Sequence, residues 1–80
     1  MNPPRKKNII GTRLTKARKT KGLTQLDLSR KVSAFTPIDR AGIAKIENGL
    51  RSVYDYELLA LSKVLGVEVG WLLTGRKSRK

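Results

Sequence analysis

The 80-residue chain is divided by glycines at 22, 49, 66 and 75, each ending a stretch whose apolar residues recur every three or four positions. That spacing predicts helices almost throughout, and no segment alternates as a strand does. Ile10, Leu14 and Ala17 fall on one stripe, which places a first helix over about residues 8–21. Thr24 with Asp27 forms a capping-box pattern, and Leu28 and Val32 then face inward in a second helix reaching about residue 33.

Residues 33–38 interrupt the pattern. Pro37 does not fit a helix interior but suits a first turn, so either Thr36 or Asp39 can be the N-cap of a third helix. That helix carries Ile43 and Ile46 inward and stops at Asn48-Gly49. A fourth begins around Ser52–Asp55, stacks Leu58, Leu61 and Leu65, and ends at Gly66. Asp55 and Glu57 sit in its first turn, where the helix dipole favours anions. A short fifth helix covers about residues 68–73. The expected architecture is all-α, a five-helix bundle.

Composition narrows the chemistry. With no cysteine there is neither a disulfide framework nor a thiolate metal site, and an intracellular setting fits. With no histidine, the usual general base and the commonest metal ligand are both missing. An enzyme is not expected, nor a metal, a cofactor or a small-molecule ligand. No apolar run approaches the ~20 residues that cross a bilayer, so no membrane association is expected.

Charge points to a partner. Eighteen Lys and Arg face six Asp and Glu, a formal +12. Seven of the cations lie near the ends: Arg5, Lys6, Lys7, Arg76, Lys77, Arg79 and Lys80. Without them eleven cations still face six anions, +5 on the body. Such a surface suits a polyanion, and nucleic acid is the commonest inside cells; the plainer alternative is solubility. The expected organisation is a basic disordered arm at 1–7, a folded domain at 8–75 and a basic tail at 76–80.

Two helices joined by a connecting segment are a weak signal by themselves. Sequence motifs add to it: LTQ at 23–25, IAKIENG at 43–49, R-x-V-x-D-x-E-L-L at 51–59 and WLLTG at 71–75. Together they resemble the Cro/C1-type helix-turn-helix family, the Xre-like, phage-repressor-like regulators, over about residues 9–75. The resemblance implies a compact bundle of the lambda-repressor-like type, with helices 2 and 3 as the helix-turn-helix. It implies a sequence-specific regulator of transcription, a repressor by expectation, that reads the major groove of double-stranded DNA with helix 3. An autorepressor of antitoxin type and a protein-interaction adaptor are the alternatives on this fold. A cytoplasmic, nucleoid-associated protein of bacterial or phage origin is expected.

One departure stands out. The stretch from Val32 to Asp39 is about four residues longer than the common turn. Aligned backwards from Ile46-Glu47-Asn48-Gly49, the resemblance makes Arg40, Ala41, Gly42 and Lys45 base-facing. Arg and Lys can grip guanine, and Ala41 can touch a thymine methyl. Gly42 would permit close approach. The plainer alternative for Arg40 and Lys45 is a solvated helix face. The resemblance also gives Gln25, Asn48, Arg51 and Ser52 phosphate-contacting or bracing roles, and pairs Arg18 with Glu47 as a structural ion pair. Gln25 could equally be solvated and Asn48 a simple C-cap. Leu26 stands where the family normally has a polar residue. A homodimer on a near-palindromic operator is expected, with Val69, Trp71 and Leu72 as contacts alongside Val67; Trp71 and Leu72 could instead close the monomer core.

Overall fold

The computed structural model describes residues 6–77. Five helices follow one another: α1 (Gly11–Thr20), α2 (Gln25–Val32), α3 (Arg40–Glu47), α4 (Asp55–Leu65) and α5 (Val69–Thr74). No strand occurs among the described residues, and no helix there is long and apolar enough to cross a membrane. The fold class is the all-α bundle that the apolar spacing predicts.

The stripes converge as that spacing requires. Leu14 of α1, Leu28 and Val32 of α2, Ile43 and Ile46 of α3, Leu61 of α4 and Leu72 of α5 are all fully buried. Helix α3 packs on α1 and α2, while α4 bridges α2 and α5. Leu58 is only half-buried, so the inward row of α4 is Leu61 and Leu65, joined by Ala60. Among the described residues no buried side-chain nitrogen or oxygen lacks a partner.

The helix ends differ from expectation in ways that side chains explain. Helix α1 starts at Gly11 rather than near 8 because Asn8 turns back on the chain. Its Oδ1 accepts from the Ile10 and Gly11 N–H groups at 3.0 and 2.9 Å, as a helix-starting asparagine does. At α2 both halves of the capping box are present: Asp27 N–H donates to Thr24 Oγ1, and Thr24 N–H to Asp27 Oδ2. For α3 the open choice falls on Asp39, whose Oδ1 accepts from the Gly42 N–H at 2.7 Å. Pro37 therefore lies outside the helix instead of in its first turn. Helix α4 starts at Asp55 rather than at Ser52, with the Tyr54 N–H donating to Glu57 Oε1.

The long connection is ordered by its own hydrogen bonds. The N–H groups of Ser33, Ala34, Phe35 and Thr36 donate to carbonyls of Ser29, Lys31 and Val32, so α2 winds through a further turn. Pro37 then ends it, and Ile38, 4% exposed, plugs into the core. The extra residues accordingly leave α3 seated by Ile38 below and Asp39 above. Phe35 is left 58% exposed on the turn.

Helices α1 and α3 meet at a glycine. A Cβ on Gly11 would lie 2.6 Å from Glu47 O and 2.7 Å from Ile46 O, both backbone atoms. Gly11→Ala should therefore destabilise by ~1–3 kcal/mol, as overpacking does, despite the ~1 kcal/mol helix preference for alanine. Gly70→Ala meets nothing within 4 Å and should be neutral or stabilising. Thermal melts of both variants check this, at roughly 4–8 °C per kcal/mol for a domain of this size; equal shifts would refute the clash.

Candidate nucleic-acid interface

Helix α3 shows the two faces expected of it. Ile43 and Ile46 are wholly buried, whereas Arg40, Ala41 and Lys45 are exposed. Gly42 is half-buried, and its lack of a side chain has an internal reason. A Cβ there would sit 2.9 Å from Ile38 Cγ2 and 3.0 Å from Asp39 Oδ1, crowding both the core plug and the N-cap.

Beside this face lies a cationic concavity of about 440 Å³. Ala41, Gly42 and Lys45 line it together with Arg51, Ser52 and Lys7. Three of the four expected base-facing residues thus share one hollow with two of the expected phosphate contacts. Arg40, Gln25 and Asn48 do not line it. Asp39 is the one acidic residue that does, alongside three cations.

Lys7 reaches the hollow because the chain before α1 is pinned there. The Lys7 N–H donates to Gly49 O at 2.9 Å, and Lys6 Nζ donates to Asn48 O. Asn8 Nδ2 donates to Ile46 O and Arg51 O, at 3.0 and 2.8 Å, tying α1 to both ends of the α3–α4 turn. Residues 6 and 7 are thus part of the folded body, which corrects the expected arm at 1–7. Residues 1–5 and 78–80, Arg5, Arg79 and Lys80 among them, lie outside the described residues. Arg76 and Lys77 follow α5 and are exposed.

Behind the hollow, α3 is braced by charge. Arg18 Nε donates to Glu47 Oε2 at 2.6 Å and Arg18 Nη2 to Oε1 at 3.1 Å, with the two side chains 10% and 6% exposed. Gln25 Nε2 donates to the same Oε1 at 3.0 Å, which is a bracing geometry. Burial pushes the Glu47 carboxyl up, but the hydrogen bonds from Arg18 and Gln25 outweigh it and hold the group below its ordinary value of 4.5. Asn48 caps α3 through its own N–H, donated to Ala44 O, and is exposed.

Arg51 has a heavier structural role than the sequence suggested. Its Nη1 and Nη2 donate to Glu57 Oε1 and Oε2 at 2.9 and 2.7 Å, and Nη1 also donates to Ser52 O. Glu57 is 3% exposed, so it is a buried counter-ion and not merely a dipole-favoured anion. The Arg51 hydrogen bonds hold its carboxyl below 4.5 against the opposing effect of burial. A second arginine, Arg13, went unnoticed in the sequence. Its Nε donates to Leu72 O and its Nη2 to Leu73 O, tying α1 to the end of α5. Asparagine's taste for helix starts could have exposed Asn8; nothing local marks Arg13 or the burial of Glu57.

Leu72, expected as a dimer contact, is 0% exposed and belongs to the core, because α5 is so short that its inward position must close the bundle. Val67, Val69 and Trp71 are half-buried. Leu26 is 41% exposed on α2, and nothing in the structure explains it.

A family model described as helix-turn-helix matches residues 14–72. Among solved structures, the P22 c2 repressor in complex with a synthetic operator superposes with a TM-score of 0.75 at 28% identity, over 86% of this chain and 98% of that one. The restriction-modification controller protein C.AhdI from Aeromonas hydrophila gives 0.71 at 32% identity, over 79% and 86%. No curated protein sequence matched. These likenesses define a class of DNA-binding transcriptional regulators without enzymatic activity. The chain belongs to the Cro/C1-type helix-turn-helix family.

The two buried carboxylates set an acid limit. Because Glu47 and Glu57 are held below 4.5, each stabilises the fold above that value and loses its contribution as pH falls through the folded value. The melting temperature should fall on acidification from about pH 5 to about pH 3. Glu57→Gln should melt lower at neutral pH yet lose less on acidification. Parallel acid limbs for the two proteins would refute this assignment.

Proposed function

We propose that this chain represses transcription by laying α3 in the major groove of an operator, with the cationic hollow seated against one strand. The hollow joining Lys7, Lys45, Arg51 and Ser52 to the small residues Ala41 and Gly42 carries this reading. Small residues let the helix approach, Lys45 reaches a base edge, and the surrounding donors meet phosphates. Arg40 begins α3, exposed beyond the hollow, where it can grip guanine. Arg51 can serve both duties: Nη1 and Nη2 hold Glu57, and its Nε–H makes no hydrogen bond among the described residues. Gln25 and Asn48 sit at the two helix ends beside this face, Gln25 as a brace and Asn48 as a backbone contact. The P22 c2 repressor, solved on an operator, supports the assignment. The protein would act in the cytoplasm, on the nucleoid.

Recognition is by a two-fold dimer on a near-palindromic operator, since one recognition helix reads too few base pairs to mark a promoter. Leu72 is unavailable, so the contact falls to Val69 with the exposed apolar residues Leu59 of α4 and Leu73 of α5. Residues 1–5 and 76–80 add affinity that is sensitive to salt but carries little specificity.

Selection from a random DNA library supplies the operator, and two variants then test the roles. Lys45→Ala and Arg40→Ala should each weaken operator binding by ~1–3 kcal/mol and relax preference at one base pair. Equal weakening on all sequences would make them phosphate contacts instead. Sedimentation should find two chains per operator at saturation; one chain would refute the dimer.

A further inference from the structure

A second concavity, of about 520 Å³, lies between α1 and α5 and shares no lining residue with the cationic hollow. Its floor is apolar, formed by Ala17, Val67 and Trp71. Its rim carries three exposed cations, Lys16 and Lys21 from α1 and its C-cap and Lys77 from the segment after α5, against the single carboxylate of Glu68. Apolar floor and spread cations make two separate demands on an occupant. It must offer apolar side chains to Val67 and Trp71, and several negative charges spaced along the groove.

DNA meets only the second demand, because phosphates would pair with the lysines and leave the floor uncovered. A second copy of this chain meets the first but not the second, since it brings the same three lysines and a formal +12. We infer that the α1–α5 groove docks an acidic, apolar-anchored peptide segment of a partner protein, an amphipathic segment laid along the groove. The regulator would thereby hold a protein partner through one surface while α3 stays on DNA. The inference stands apart from the major-groove assignment, and of the groove's residues only Lys77 belongs to the tail proposed to meet phosphates.

Trp71 is the only tryptophan in the chain, so its emission reports on the groove directly. The probe is an amphipathic peptide of about a dozen Leu, Ala and Glu residues, with a counterpart carrying Gln at each Glu. The acidic peptide should change Trp71 emission saturably, and the Gln peptide should bind roughly tenfold more weakly or not at all. Lys16→Gln with Lys21→Gln should cost about the same factor. Arg30→Gln with Lys31→Gln, an equal loss of charge on α2 outside the groove, should change binding by less than about twofold. The proposal is overturned if both charge pairs weaken binding alike, which would be attraction to the whole basic surface. It is overturned equally by a silent Trp71 or by complete displacement of the peptide with duplex DNA.

Discussion

The seating of α3 and that of the cationic hollow beside it both hang on the carboxylate of Glu47. Arg18 from α1 and Gln25 from α2 converge on it, so one side chain of α3 fixes the helix to its two neighbours. Apolar packing sets how deep Ile43 and Ile46 sit, but hydrophobic contact is indifferent to rotation by a few degrees. Directional hydrogen bonds are not, and here they lock α3 about its axis. An unpartnered charge in this place would cost about 3–5 kcal/mol, so the triad is all-or-nothing. Arg51 with Glu57 repeats the device one turn later, securing the loop that leaves α3.

The lengthened connection between α2 and α3 shows how such a helix tolerates insertion. Added residues could have let α3 tilt. Instead the chain closes a further turn on α2, spends Pro37 to stop it and sinks Ile38 into the core. The register of α3 is thus reset before Asp39 caps it. Gly42 belongs to this arrangement too, since a larger residue would press on Ile38 and on the cap.

Much of this was legible in the sequence because it is local. Glycine stops, the Thr24–Asp27 box and the three-and-four spacing of apolar residues each act within one turn of chain, and all five helices follow from them. The Arg18–Glu47 pair is a long-range contact and was legible only through the family motif. What stayed hidden were side chains acting at a distance without a motif: Asn8 across to Ile46 and Arg51, Arg13 across to α5, and Glu57 buried under Arg51. Leu72 was left open between a second chain and the monomer core for a related reason. Periodicity over six residues cannot say which apolar side chain of α5 points inward, and only the packing of α4 against it decides.

Asn8 has a consequence for which side chain can start α1. Its amide uses both ends: Nδ2 donates to two carbonyl oxygens, and Oδ1 accepts from two backbone N–H groups. Hydrolysis of that amide to a carboxylate would keep the acceptor and replace the donor with a negative oxygen facing the Ile46 and Arg51 carbonyls. A neutral clasp would become a repulsive wedge between α1 and the α3–α4 turn, beside the cationic hollow. The neutrality of one side-chain amide therefore decides whether the start of α1 can close on the turn that follows α3.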